Sequence, residues 1–255
     1  MTEGEFVGKK VLITGAAGGL GSALVKVFAD GGADLILCDQ AASALAGSPW
    51  PVHAFDLLDA ASVEEAARTI VDSHGAPDVV VNNAGWTRAE SVASLTAENI
   101  DVEIRVNLTG VATFTNALLP AMTARGSGSF VFISSVNALS HFGNPAYGAA
   151  KAGINAFSRG VAVECGRKGI RSNVVCPGSI RTPAWAHRLA RNPGIMDKLK
   201  GLYPLARIVE ASEVAEAVAF LASSRASGIT GTVLPVDAGI GAGMLPFIDD
   251  ILGGE

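Results

Sequence analysis

Cysteine, histidine and charge are all scarce in this 255-residue chain, and each scarcity argues against a class of function. The three cysteines (Cys38, Cys165, Cys176) are an odd number at unrelated spacings with no CxxC, so no disulfide framework is expected and each reads as a small buried apolar residue. The four histidines (His53, His74, His141, His187) show no metal-ligand spacing and have no cluster of thiols or carboxylates beside them, so no metal is expected. Charged residues make up 17% of the chain, the net charge is −5 and the basic residues are scattered. Such a surface offers no footprint for nucleic-acid phosphates.

Long apolar runs are missing too. The uncharged stretch 126–150 contains Ser, Asn, His, Gly and Pro throughout, whereas a membrane-spanning helix needs about 20 mostly apolar residues. It reads as a buried strand followed by a loop. Met1-Thr2-Glu3-Gly4-Glu5 lacks the basic start and apolar core of a signal peptide, which points to the cytoplasm. No linker, charge block or repeat divides the chain, so a single domain over 1–255 is expected.

Short apolar runs alternate with helical periodicity. Strands are expected at 11–13, 35–37, 52–55, 79–81, 130–133, 172–175 and 233–236, and helices from Leu20, over 59–73, over 96–123 with Pro120 ending or kinking it, over 147–165 and over 212–222. The small-residue segment 41–51 leaves room for one or two helical turns at most. Continuous apolar strands suit a mainly parallel sheet covered by helices on both faces. The expectation is therefore an α/β, doubly wound Rossmann-type fold with a seven-stranded sheet, ligands binding at the carboxyl ends of its strands.

Gly15, Asp39, Asp56, Asn83, Ser135 and Gly178 all fall just after expected strands. After the first, Gly15, Gly18, Gly19, Leu20 and Gly21 form a turn whose backbone amides and helix N-terminus can approach a pyrophosphate, although the same pattern also serves as a plain tight turn. Asp39 stands where an acidic side chain binds adenosine ribose hydroxyls, or where an aspartate simply forms a turn. Its charge repels a 2′-phosphate, and Ala17, Gly18, Gln40 and Ala41 include no Arg or Lys to counter it. NAD is expected over NADP.

Tyr147 and Lys151 are i,i+4 on one helix and so share a face. An ammonium beside a phenol, together with a positive nicotinamide ring, favours the phenolate and makes the tyrosine a general acid/base. Ser135 can donate a hydrogen bond to a substrate oxygen. Asn107 reads equally as a satisfied buried amide.

Taken in order, Thr14-Gly-x-x-x-Gly-x-Gly21, Asp56, Asn82-Asn83-Ala84-Gly85, Asn107, Ile133-Ser134-Ser135, Tyr147-x-x-x-Lys151, Asn173, Pro177-Gly178 with Thr182, and Thr230-Gly231 before Val236-Asp237 resemble the short-chain dehydrogenase/reductase family over nearly the whole chain. The resemblance implies Tyr147 as proton donor and acceptor, and Lys151 lowering its pKa and binding the nicotinamide ribose. It gives Ser135, with Ser134 as its rival, the task of orienting the carbonyl, and Asn107 a water linking Lys151 to solvent. It also implies Asp56 and Leu57 at the adenine, Asn83, Ala84 and Gly85 along the cofactor ribose, and Pro177, Gly178, Ile180 and Thr182 near the carboxamide. A homotetramer is implied, with the 96–123 and 147–165 helices in one interface and the last helix and strand in another. Two departures stand out: the segment between Asp39 and Val52 is short, and Ala238 replaces the glycine common after Val-Asp.

The reaction expected is alcohol to carbonyl and back on a small molecule. Trp86, Arg88, Asn137 and His141, with Trp185 and Arg188 in a lid at about 179–203, are placed to meet substrate. The lid's basic residues read as a solvated helix face or as a site for an anionic, hydroxylated substrate such as a sugar derivative. A 3-oxoacyl-thioester reductase is the nearest enzymatic alternative, and a noncatalytic NAD-binding sensor the alternative from another class. Neither a G-x-S-x-G elbow nor a suitably placed histidine supports a serine hydrolase. The tail, about 239–255, carries apolar residues able to cover a neighbouring subunit's pocket.

Overall fold

Val11, Leu12 and Ile13 have no exposed surface, because they lie inside a seven-stranded sheet. The computed structural model describes residues 4–88, 91–182 and 194–253. Its main sheet joins β1 (Lys10–Thr14), β2 (Asp34–Asp39), β3 (Val52–Ala54), β4 (Val79–Asn82), β5 (Gly128–Ile133), β6 (Ile170–Pro177) and β9 (Val233–Val236) in the order β3-β2-β1-β4-β5-β6-β9. Every pairing is parallel, so the sheet is wholly rather than mainly parallel. β7 (Ile180–Arg181) and β8 (Val209–Glu210) pair separately.

Alternate strand residues face opposite layers. Val11 and Ile13 pack with Leu24 and Phe28 of α1 (Gly19–Asp30) and with Val214 and Val218 of the helix Ala211–Ala222. Leu12 packs with Val63 and Ile70 of α2 (Ala60–His74) and Phe114 of α4 (Gly110–Arg125). Burying each such side chain contributes about 1.5–3 kcal/mol before entropy is counted. Since the chain runs from β1 out to β3 and returns to β4, the crevice opens at the carboxyl ends of β1 and β4.

Two of the expected helices depart from the periodicity, and one short segment keeps to it. The expected 96–123 helix is α3 (Ala97–Ile104), a π turn (Arg105–Thr109) and α4, and the Gly110 amide bonds back to the Arg105 carbonyl. Pro120 does not end it. It lies on the exposed side, where water can take the carbonyl left without a donor, and the helix runs to Gly126 in the left-handed conformation. α5 (Pro145–Cys165) starts earlier than expected, because Pro145 has a φ preset for a first helical turn. Segment 41–51 forms a single 3-10 turn, Ala42–Leu45.

Ala238 sits at φ 51 while buried, a left-handed conformation that favours glycine, in keeping with the glycine that the family resemblance implies at this position. A Cβ in the left-handed region costs roughly 1–2 kcal/mol. Ala238→Gly is expected to raise unfolding stability by about 0.5–1 kcal/mol after glycine's extra unfolded-state entropy. Urea denaturation of both chains checks this, and a lower midpoint for the glycine variant would refute it.

Candidate active site

The crevice is a cleft of about 710 Å³ lined by Gly15, Gly18, Leu20 and Gly21 on one side and Asn83, Ala84, Gly85 and Trp86 on the other. Gly15 has φ +65, and a Cβ on it would stand 2.9 Å from the Ala84 Cα. A Cβ on Gly21 would lie 2.1 Å from the Gly15 carbonyl oxygen, so no other residue fits. Asn83 fixes this approach by donating from Nδ2 to the Thr14 and Gly15 carbonyls, both at 3.0 Å, while Thr14 Oγ1 accepts the amides of Asn83 and Ala84. α1, whose first residue is Gly19, has no side-chain cap, which leaves its N-terminal amides available to an anion.

At the end of β2, Asp39 Oδ2 accepts from the Ala17 amide at 3.0 Å, joining the carboxylate to the glycine turn. Gln40 Nε2 donates to Asp56 Oδ2 at 2.9 Å, and Asp56 and Leu57 line the same cleft. Among the described residues, no Lys or Arg lines it. A turn that excludes side chains, free helix amides and a carboxylate at the strand end fit a nicotinamide dinucleotide.

Gly85 joins the cleft to Asn107 and Lys151: a Cβ there would lie 2.8 Å from Asn107 Oδ1 and 3.2 Å from Lys151 Nζ. Lys151, 4% exposed, donates to the Ile133 carbonyl at 2.9 Å, with Nζ 5.6 Å from the centre of the Tyr147 ring. Burial lowers its pKa to about 8 against the opposing pull of Cys176 and Glu103. Burial pushes the half-buried Tyr147 up to about 12, and its hydrogen bond with Ser135 works in the other direction.

The serine pair divides cleanly. Ser134 Oγ donates to the Lys151 carbonyl at 3.1 Å and is committed to structure. Ser135 Oγ accepts the Asn137 amide at 3.1 Å and faces Tyr147. Asn137 Nδ2 in turn donates to the Gly143 carbonyl at 2.6 Å, closing the loop before α5.

Asn107 lies fully buried in the π turn. Its Nδ2 donates to the Trp86 carbonyl (2.7 Å), the Glu103 carbonyl (3.0 Å) and Glu103 Oε2 (2.9 Å), and its Oδ1 accepts the Trp86 amide (3.2 Å). Bonding from Asn107 to the carbonyl one turn back accompanies the opening of the helix into a π turn, a feature often found at functional sites. Glu103 and Tyr203 went unread in the sequence. Glu103 is a charged residue one turn before Asn107, a position that could have identified it. Tyr203 is 2% exposed and accepts the Ser179 amide at 2.9 Å, a long-range contact with no local signal.

Of the remaining expected site residues, Pro177 ends β6, Gly178 packs against Asp237, Ile180 begins β7 and Thr182 follows it, half-buried. None of these four lines the cleft. Trp86 is 46% exposed, and Arg88 is held over its ring at 5.2 Å while donating to Asn99 at 3.2 Å. His141 is exposed. Trp185 and Arg188, with most of the expected lid, lie outside the described residues. Among the described residues no three metal-ligating side chains come together, although His53 and His74 meet Nε2 to Nε2 at 3.0 Å. Among them, too, no helix is long and apolar enough to cross a membrane.

A family model described as enoyl-(acyl carrier protein) reductase matches residues 15–241. The chain is 38% identical over 252 residues to oxidoreductase UcpA of Salmonella typhimurium, covering 92% of this chain and 95% of that protein. It is 35% identical over 246 residues to 3-oxoacyl-[acyl-carrier-protein] reductase FabG of Thermotoga maritima, covering 91% and 98%. The crystal structure of an oxidoreductase of the short-chain dehydrogenase/reductase family from Burkholderia thailandensis superposes with a TM-score of 0.90 at 37% identity, covering 97% of this chain and 98% of that one.

Proposed function

The chain belongs to the short-chain dehydrogenase/reductase family of oxidoreductases, and on that premise we propose that it is an NAD-dependent enzyme interconverting a secondary alcohol or lactol and a carbonyl. The observation that carries the reading is Gly85, beside which the dinucleotide cleft meets Asn107 and Lys151. Bound NAD supplies the hydride acceptor or, reduced, the donor.

The residues divide the proton's part. Ser135, its oxygen engaged by the Asn137 amide, turns its O–H from Asn137 Oδ1, where it donates at 3.4 Å in the free protein, to the substrate oxygen. Tyr147 as phenolate takes the alcohol proton as the hydride leaves the carbon, and as phenol returns it in the reverse direction. The Lys151 ammonium favours the phenolate and binds the nicotinamide ribose. Asn107 Oδ1, facing the same space beside Gly85, is placed to hold the water through which Lys151 exchanges protons with solvent. Pro177, Gly178, Ile180 and Thr182 are assigned to the carboxamide, and Asp56 with Leu57 to the adenine.

The NAD preference rests on Asp39. Wild-type kcat/KM is expected to be higher with NAD than with NADP, and Asp39→Ala is expected to narrow the ratio by roughly tenfold or more, as one removed charge repulsion near a surface allows. Equal kcat/KM for both cofactors in the wild type would refute the assignment. For substrate we place hydroxylated, anionic sugar derivatives first. Arg88 is already bound to Asn99 and Trp86, which makes Arg188 the better candidate for the anion. An NAD-reduction screen across sugars, sugar acids, steroids and other alcohols is the test, and turnover of neutral apolar alcohols alone would sink the sugar reading.

The similarity to FabG favours a second reading, reduction of 3-oxoacyl thioesters; Asp39 weighs against it if, as in such reductases generally, NADPH is the cofactor. The same screen includes that substrate. We also propose a homotetramer, built on the α4 and α5 faces and on the helix Ala211–Ala222 with β9, and a tail that covers a neighbouring subunit's pocket. The tail's Met244, Phe247, Ile248 and Ile251 are all exposed in the single chain, in keeping with that role.

A further inference from the structure

We propose that Glu103 is a positioning residue of this site: a buried carboxylate that fixes Asn107 and residues 86–88 through their donors and serves as the counter-charge of the Lys151 ammonium. The proposal rests on the reading of Tyr147 and Lys151 as the catalytic pair. Glu103 is 3% exposed on α3, one turn before Asn107. Its Oε2 accepts Asn107 Nδ2 at 2.9 Å, while Oε1 accepts the Arg88 amide at 2.8 Å and Thr87 Oγ1 at 3.0 Å.

Donors therefore meet the carboxylate at both ends. An ionised carboxylate only accepts, so it satisfies all three, whereas the isosteric amide must turn an N–H toward one set of donors. Glutamine at 103 would break either the Asn107 contact or the loop that carries Trp86. Shape alone does not explain a glutamate here.

Charge gives the second reason. A buried carboxylate is costly unless compensated, and among the described residues Glu103 has no ion pair within 4.0 Å. Arg88, the cation nearest in its own loop, points its guanidinium to Asn99 and the Trp86 ring. Tyr147 from the same helix, Cys176 from β6 and Glu103 from α3 act on Lys151. The Cys176 thiol is held neutral near pH 7, because burial pushes its pKa up. That leaves Glu103 as the negative charge supporting the ammonium, with Asn107 between them.

Glu103 favours the protonated forms of both Lys151 and Tyr147. In Glu103→Gln both groups then lose their protons at lower pH, so both limbs of the kcat/KM profile move toward acid together. Glu103→Asp keeps the charge but withdraws it by one methylene. It should lower kcat/KM by roughly 10- to 100-fold through a misplaced Asn107, with the limbs unmoved.

The test follows the Lys151 ammonium by NMR in full-length protein labelled at lysine, assigned by its loss in Lys151→Met, alongside pH profiles of turnover. The expected result is a Lys151 midpoint near pH 8 in the wild type and in Glu103→Asp, and a lower one in Glu103→Gln. A midpoint and limbs unchanged in Glu103→Gln, or a loss of rate without any shift, would overturn the proposal. The NMR titration needs no turnover, so it decides the pairing even if Tyr147→Phe proves fully active and the catalytic reading falls.

Discussion

Tyr147→Phe is expected to lower kcat by about 10²- to 10⁴-fold, the range for loss of a positioned general acid/base. The substitution removes one oxygen and keeps the ring that packs beneath Lys151. NAD affinity, read by fluorescence titration, is expected to change little by comparison, because the glycine turn, Asp39 and Asn83 are untouched. Burial pushes the phenol up to about 12 in the free protein, so on the proposed function the positive nicotinamide ring must favour the phenolate. Turnover within tenfold of wild type would remove Tyr147 from its role.

Lys151→Met is expected to abolish most activity and yet stabilise the fold. A lysine pKa lowered from 10.5 to about 8 means that the folded state resists the ammonium, a cost on the order of 3 kcal/mol. The cost is fully present below pH 8, where both folded and unfolded chains carry the charge. Between about pH 8 and 10.5 the unfolded chain binds the extra proton, so stability rises with pH, and above that window the cost is gone. Methionine removes it, but also removes the hydrogen bond to the Ile133 carbonyl. The net gain is expected to be roughly 1–2 kcal/mol at pH 7 once that unpartnered carbonyl is counted. Urea unfolding at pH 7.5 and 9.5 measures it: the variant's advantage should shrink at the higher pH. A variant less stable than wild type at pH 7.5 would show that the hydrogen bond and the attraction to Glu103 outweigh desolvation.

The two outcomes belong to one design. On the proposed function, the buried ammonium serves the ionisation of the phenol beside it, and the fold carries the cost of that burial. Ala238 is a different case, a local backbone cost at φ 51 with no part in the chemistry.

The sequence by itself determined the doubly wound fold, since continuous apolar runs such as Val79-Val80-Val81 alternate with helical periodicity, the pattern of parallel strands covered by helices on both faces. It also determined which residues to inspect, because Tyr147 and Lys151 share a helix face through spacing alone. The break of the 96–123 helix at Asn107 was beyond it: periodicity differs little between an α turn and a π turn, and the partners that open it, Trp86 and Glu103, are fixed only by packing. So was the separation of Ser134 from Ser135, adjacent hydroxyls pointing to opposite sides of an extended backbone, one to the Lys151 carbonyl and one to Tyr147. Tertiary structure alone decided that Glu103 is buried. A charge on an exposed helix and a charge facing Asn107 look alike until β4 places residues 86–88 against α3, and the donors there require a carboxylate.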